Sequence, residues 1–285
     1  MSHIYLAGEG HGAIALVKGI LNETNLIPSI IVITHDRELI EICKNHTIKI
    51  KTNIPFRNLK REDIVITSGY NQIIKSNYVD KAKFLNIHYS LLPKYRGMHT
   101  VVWALINGEE EVGYTIHEVT EQVDAGPIYF QKSIKVESFN SWELMLKLDK
   151  LVQKDISQFL KLYLSGSINS QVQDEREAIC VGKRNKDDCK VNWNEWDSKY
   201  FPLYMKALVN PYPRPFFIYK NKNYELLDLK IRSIKYREIN GHVVHICDRY
   251  VGVKISDGIA YFEYFLSEGK KIKSNKVIKK LGVRL

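Results

Sequence analysis

The stretch that decides the fold is His3-Ile-Tyr-Leu-Ala-Gly8-Glu-Gly10-His-Gly12-Ala13-Ile-Ala-Leu-Val-Lys-Gly-Ile20. Residues 3–8 read as a strand. Gly8, Gly10 and Gly12 read as a tight turn. The apolar residues from Ala13 recur at helical spacing. A strand, a glycine turn and a helix open a parallel α/β sheet. The glycines let backbone amides at a helix N-terminus approach an anion, which makes Gly8 and Gly10 candidate substrate contacts. The third glycine comes one residue early for Gly-x-Gly-x-x-Gly, so the turn reads as a tight βα connection ahead of a dinucleotide site.

Working outward, Ser29-Ile-Ile-Val-Ile-Thr-His35 is apolar throughout, as a central parallel strand should be. Asp36 follows and reads as the N-cap of a helix over 37–43, with a ribose contact as its other reading. Asp63-Ile-Val-Ile-Thr-Ser-Gly69 is another central strand. Tyr70-Asn-Gln-Ile-Ile74, a short helical segment and the strand from Phe84 come next. Repetition of strand and helix predicts a Rossmann-like, mostly parallel sheet, with ligands beyond the carboxyl ends of its strands. Residues 112–120 and 128–136 read as a strand and its return, joined by the loop 121–127. Asn140 and Glu143 form a capping box for a helix that runs to Gly166.

From about Ile179 the texture changes. Residues 183–190 are charged and read as a surface connection. Asn210-Pro-Tyr-Pro-Arg-Pro-Phe216 is a rigid proline loop. Strands are predicted over 216–219, 224–239, 242–255 and 259–266, with Asn240-Gly241 and Asp257-Gly258 as hairpin turns. The organisation predicted is a domain over 1–205, including a linker over 180–205, and a small β-rich, OB-like barrel over 206–285.

A hydrophobic share of 45% over 285 residues supports a real core. The cysteines Cys43, Cys180, Cys189 and Cys247 show neither zinc nor redox spacing. His242 and His245, three apart on a strand, face opposite sides and make no metal pair. The N-terminus lacks the pattern of a signal peptide, and no run is long and apolar enough to span a membrane, so a cytoplasmic location is expected. The net charge of +10 favours anionic partners: nucleotides, nucleic acid or folates. Six lysines between Lys270 and Lys280 read as a polyanion patch or a solvated end.

Chemistry concentrates in Phe84-Leu-Asn86-Ile-His88-Tyr-Ser-Leu-Leu-Pro-Lys94-Tyr95-Arg96-Gly97. Asn86 and His88 are two apart, so on a strand they share a face. Pro93 and Gly97 bend the chain into a loop that carries Lys94 and Arg96. An amide, an imidazole and two cations beside a strand end describe a group-transfer site for an anionic substrate. Such a site needs a carboxylate, and Asp124, in the loop ending Ala-Gly-Pro, is the candidate.

That string, with Trp103-Ala-Leu-Ile-Asn-Gly-Glu109, Gly113-Tyr-Thr-Ile-His117 and Val123-Asp124-Ala-Gly-Pro-Ile128, resembles the formyltransferases that use N10-formyltetrahydrofolate. Residues 183–193 and the 210–213 loop more faintly resemble the linker and barrel entry of two-domain members. The resemblance implies that Asn86 stabilises an oxyanion, that His88 accepts a proton, and that Asp124 orients the ring or a water. It also implies a folate site formed by backbone groups at Tyr70, Gln72 and Ile74, closed by Val123 and the Asp124 loop. Lys94 and Arg96 are then candidates for a pyrophosphate, with Tyr95 and His99 beside them and Tyr212 or Phe216 over a base. His117 reads as a satisfied structural histidine.

The family's acceptors include glycinamide ribonucleotide, methionyl-tRNA and nucleotide-linked amino sugars. The β-rich second half argues against the first. Met98-His-Thr-Val101 after Arg96-Gly97 departs from the tRNA enzymes, and Val102-Trp-Ala-Leu-Ile-Asn-Gly-Glu109 is similar to the sugar enzymes, above all those acting on dTDP-4-amino-4,6-dideoxyglucose. The expected partners are a nucleotide sugar and folate, with a possible homodimer, no membrane, and no nucleic acid unless the tRNA alternative holds. A nucleotide-binding oxidoreductase and a binding protein on a degenerate enzyme fold are rival readings. The first leaves Asn86, His88 and Asp124 without a role, and the intact set of those three argues against the second.

Overall fold

The computed structural model describes residues 3–21 and 29–285, and the chain divides into two compact units. The first comprises residues 1–101, 110–137 and 143–182. Its elements begin with β1 (Ile4–Ala7), α1 (Gly10–Ile20), β2 (Ile30–Ile33), α2 (Arg37–Asn45) and β3 (Lys49–Lys51). They continue with β4 (Ile64–Thr67), α3 (Ser76–Val79), β5 (Lys83–His88) and the two-residue β6 (Arg96–Gly97). Then come β7 (Glu111–Glu118), β8 (Ile128–Lys135), α5 (Ser141–Leu164), whose first two residues group with the second unit, and the two-residue β9 (Cys180–Val181). Before β7 the chain passes through α4 (Thr100–Ile106), which from Val102 onward groups with the second unit.

Seven strands form one sheet in the order β3-β2-β1-β4-β5-β7-β8. The first five are parallel, as the sequence predicts, and β7 and β8 run antiparallel at one edge. One sheet face carries Tyr5, Ala7, Ile31, Ile33, Val65 and Phe84, packed on Ile54, Leu59 and Ile74. Helices α1 and α5 are tied by His11 Nδ1 to Asp149 Oδ2 at 2.8 Å, and Ser157 donates to the Gly19 carbonyl. Asn140 caps α5 through the Trp142 amide at 3.0 Å. Among the described residues no helix is long and apolar enough to cross a membrane.

The glycine turn corrects one expectation. The Gly8 amide donates to the Ile33 carbonyl at 3.1 Å, and the Gly10 amide to Asp36 Oδ2 at 2.9 Å. Both amides are engaged inside the protein, so Gly8 and Gly10 do not offer them to a substrate. Asp36 is the α2 cap, since its Oδ1 also accepts from the Leu39 amide at 3.2 Å. Burial alone would raise its carboxyl, but the amides of Gly10, Leu39 and Glu38 hold it below its usual range. Gly8 is required because a Cβ there would lie 1.8 Å from the Ser68 carbonyl oxygen.

The second unit comprises Val102–Glu109, Ser138–Trp142 and Lys183–Leu285. Residues 183–205, which the sequence reading joins to the first domain, group here. The cause is aromatic packing: Trp193 meets Phe201, Phe217 and Phe262 at centroid distances of 5.9, 6.3 and 6.2 Å. After α6 (Tyr200–Ala207) come β10 (Phe216–Tyr219), β11 (Lys222–Leu226), β12 (Lys230–Ser233) and β13 (Val243–Ile246). The chain ends with β14 (Val251–Ile255), β15 (Gly258–Phe262), β16 (Tyr264–Ser267), β17 (Lys270–Lys273) and α7 (Ser274–Val277).

These strands form two four-stranded antiparallel sheets, β10-β11-β16-β17 and β12-β15-β14-β13. Two hairpins turn on residue pairs with positive φ, Lys220-Asn221 and Glu268-Gly269, which match the twist of the flanking strands. The β14–β15 hairpin turns on Ser256-Asp257, one residue before the predicted Asp257-Gly258, because Gly258 already pairs with Ile255. Asn240-Gly241 is not a hairpin turn, because β13 pairs with β14 while β12 pairs with β15. The predicted strand over 224–239 breaks where Asp228 turns aside to accept the amides of Glu263 and Tyr264, at 2.6 and 2.9 Å.

The close approach at Gly8 makes a prediction. Gly8→Ala should destabilise the first unit by at least about 2 kcal/mol, since an overpacked backbone contact has no flexible partner to yield. Chemical denaturation of the variant against the wild type measures it.

Candidate active site

Strand β5 ends in Asn86-Ile87-His88, and β7 pairs with it in the register Asn86↔His117 and His88↔Thr115. Directly opposed residues of an antiparallel ladder point to one face, so Asn86, His88 and His117 project together. The chain leaves β7 and its loop brings back Asp124, whose φ is +53°. The Gly97 amide donates to Asp124 Oδ2 at 2.9 Å. Glycine is needed at 97 for that approach: its φ is +112°, and a Cβ would lie 2.1 Å from the Val181 carbonyl oxygen.

The four side chains meet around the carboxylate. His88 Nδ1 lies 3.5 Å from Asp124 Oδ2, and His117 Nε2 lies 3.4 Å from Oδ1. Asn86 Nδ2 reaches Asp124 Oδ1 at 3.4 Å and His117 Nε2 at 3.3 Å. The Thr67 hydroxyl donates to Asn86 Oδ1 at 2.8 Å, which turns the amide nitrogen toward the cluster.

The far nitrogen of each ring faces a backbone carbonyl, which can only accept. His88 Nε2 therefore donates to the Tyr95 carbonyl at 2.8 Å, and His117 Nδ1 to that of Glu118 at 2.8 Å. Neutral rings so anchored turn lone pairs inward, His88 Nδ1 and His117 Nε2, beside the carboxylate. One added proton converts either inward nitrogen into a donor to Asp124. Burial depresses the His88 pKa below its usual value, although Asp124 and the Tyr95 carbonyl act in the opposite direction. Burial pushes the Asp124 carboxyl up, but the His117 and His88 rings and the Gly97 amide outweigh it and bring it down to about 2.

The residues expected on sequence grounds fall into three groups. Asn86, His88 and Asp124 are brought together. His117, read as structural, joins them; its signal was the alternation over 112–118, but its register opposite Asn86 was not available. The segment 70–75 is irregular, with Gln72 exposed and Tyr70 half-buried and donating to Gln72 Oε1 at 3.2 Å. The Ile74 side chain belongs to the core, which leaves its backbone for a ligand. Val123, beside Asp124, is 59% exposed. Lys94 is exposed and His99 half-buried at φ +58°, while the Tyr95 ring is buried and its carbonyl anchors His88.

Two candidates are corrected. Arg96 is only 3% exposed, and its guanidinium is engaged by Gln173 and by both oxygens of Glu175, so it is not a free cation for a pyrophosphate. Phe216, in the second unit, is 4% exposed with Lys186 Nζ 5.9 Å from its ring centroid, so it presents no open face to a base. Tyr212 lies in the same unit, half-buried, and burial raises its phenol pKa.

An amide donor, two imidazoles and an ionised carboxylate at the carboxyl end of a strand, with no thiol or hydroxyl nucleophile among them, suit transfer of a group to an external nucleophile. Residues 33–154 match the family described as formyl transferase. The methionyl-tRNA formyltransferase of Dictyoglomus thermophilum is 30% identical over 78% of this chain and 74% of its own length. The chain belongs to the formyl transferase family, and it is an enzyme of formyl transfer. Among solved structures, an N-formyltransferase from Helicobacter canadensis, crystallised with folinic acid and dTDP-3-aminofucose, superposes with a TM-score of 0.72 at 19% identity, covering 92% of this chain and 98% of that one. A sugar 3N-formyl transferase crystallised with dTDP and 5-N-formyl-THF gives 0.69 at 20% identity, covering 95% and 99%.

The low Asp124 pKa sets a pH-dependent contribution to stability. A carboxyl depressed on folding contributes stability above its unfolded pKa and loses it as pH falls through the folded one. The difference in unfolding free energy between wild type and Asp124→Asn should therefore shrink by about 2 kcal/mol from roughly pH 5 to pH 2. Urea titrations across that range measure it.

Proposed function

We propose that this enzyme transfers the formyl group of N10-formyltetrahydrofolate to the amine of a nucleotide-linked amino sugar, dTDP-4-amino-4,6-dideoxyglucose. The observation that carries formyl transfer is the convergence of Asn86, His88, His117 and Asp124 on one face beyond β5. Superposition supports a sugar acceptor: the TM-score is 0.72 with an N-formyltransferase crystallised with dTDP-3-aminofucose and 0.69 with a sugar 3N-formyl transferase, against 0.56 with the methionyl-tRNA formyltransferase of Clostridium thermocellum.

The acceptor nitrogen attacks the formyl carbon, whose oxygen becomes an oxyanion. Asn86 Nδ2 donates to that oxygen. Its internal contacts, at 3.3 and 3.4 Å, are long and readily exchanged for a charge-assisted bond. The amine must lose a proton, and N10 must gain one as its bond to the formyl carbon breaks. His88 enters neutral, with Nε2–H fixed on the Tyr95 carbonyl, so Nδ1 is the atom that takes the proton. Asp124, ionised and 3.5 Å away, stabilises the imidazolium, which returns the proton to N10 through the cluster or a water. His117 Nε2 lies 3.4 Å from the other carboxylate oxygen and donates to it when that ring carries the added proton. The backbone of 70–74 and the loop at Val123 are the reading for the folate site.

A second reading, methionyl-tRNA as acceptor, is favoured by charge. Residues 183–285 carry 22 Lys and Arg against 11 Asp and Glu, whereas the rest of the chain carries 20 against 21. The whole positive excess lies in the second unit, as a polyanion would require.

Release of tetrahydrofolate with separate acceptors decides between them. Rapid release is expected with dTDP-4-amino-4,6-dideoxyglucose and none with methionyl-tRNA; release with the 3-amino isomer alone would move the amine, and release with tRNA alone would refute the sugar reading. Asn86→Ala, His88→Ala and Asp124→Ala should each lower kcat by about a hundredfold or more while the protein stays folded by circular dichroism. Near-normal turnover in His88→Ala would remove it as the base.

A further inference from the structure

Gln173 is 6% exposed and lies 49 residues from Asp124 along the chain, yet it is bonded to the Asp124 loop. Its amide nitrogen donates to the backbone carbonyls of Asp124 and Gly126, at 2.8 and 2.7 Å. Its Oε1 accepts from Arg96 Nε and Nη2, at 3.1 and 2.8 Å. The remaining side of that guanidinium pairs with Glu175, Nη1 to Oε2 at 2.9 Å and Nη2 to Oε1 at 2.7 Å. The residue after Arg96 is Gly97, whose amide holds the Asp124 carboxylate. One chain of bonds thus grips Asp124 at both ends, the carbonyl through Gln173 and the carboxylate through the Arg96-Gly97 strand.

The residue types fit this arrangement. A primary amide can accept from a guanidinium on one side and donate two N–H bonds on the other, whereas a carboxylate could only accept. Arginine supplies a planar fork that fixes direction, which a lysine ammonium does not. Asp124 needs external support, since its φ of +53° is a conformation that non-glycine residues seldom adopt. Glu175 is largely exposed and closes only the outer end of the network.

We propose that Gln173 and Arg96 are positioning residues for Asp124: they hold its carboxylate beside His88 and so set the rate of the proton-transfer step. The inference rests on Asp124 acting as the reading above assigns. A misplacement on the order of 1 Å at a catalytic group costs roughly a hundredfold in rate.

Gln173→Glu tests it, because it keeps the acceptor for Arg96 and removes both donors to the loop. Turnover is measured with whichever acceptor the wild type uses, together with the Gly97 amide resonance in protein labelled with 15N-glycine. The expected result is a kcat at least about tenfold lower, a KM for N10-formyltetrahydrofolate within about twofold, and a Gly97 amide proton moved upfield as its bond to Asp124 weakens. Glu175→Ala should change neither readout appreciably. If Gln173→Glu does not fold, Arg96→Lys, which keeps the charge and loses the fork, takes its place with the same expectation. Wild-type kcat with an unmoved Gly97 resonance overturns the clamp. Asp124→Asn separates the two claims: full turnover in that variant refutes the role of Asp124, while the Gly97 resonance in Gln173→Glu still reports whether the clamp exists.

Discussion

Leu85, Asn86, Ile87 and His88 pair with Glu118, His117, Ile116 and Thr115 in an antiparallel ladder at the edge of an otherwise parallel sheet. The reversal of direction has two consequences. It sets His117 opposite Asn86, so that both side chains emerge on the face where β5 ends. It also ends β7 opposite the start of β5, with Glu118 beside Leu85, and from there the loop 119–127 turns back and returns Asp124 to the cluster.

The cluster gathers a buried carboxylate and two histidines, with the nearest guanidinium turned to Gln173 and Glu175. A buried carboxylate must be compensated, and here the donors are a backbone amide and a side-chain amide, with two rings beside it whose outer nitrogens are fixed by carbonyls and whose inner nitrogens become donors on protonation. That arrangement leaves one proton position shared among three groups. It suits a reaction in which a proton must leave one nitrogen and reach another while no net charge is gained.

The second unit is built differently. Its core is aromatic, with Trp193, Phe201, Phe217, Phe262 and Phe265 in mutual contact, and it carries the chain's positive excess.

By itself the sequence determined whatever depends on neighbours along the chain. Apolar runs placed β1, β2, β4 and β5, Asp36 announced the cap of α2, and the spacing of Asn86 and His88 put them on one face. The spread of like charge into residues 183–285 was legible in the same way. Periodicity carries no information on which strand pairs with which, in what direction or in what register. Tertiary structure alone therefore decided that His117 joins the site, that Arg96 turns inward to Gln173 and Glu175, and that the amides of Gly8 and Gly10 are engaged by Ile33 and Asp36. Each of these rests on contacts between residues more than twenty positions apart, and such contacts form only where the packed sheet brings both partners out of water to the same place.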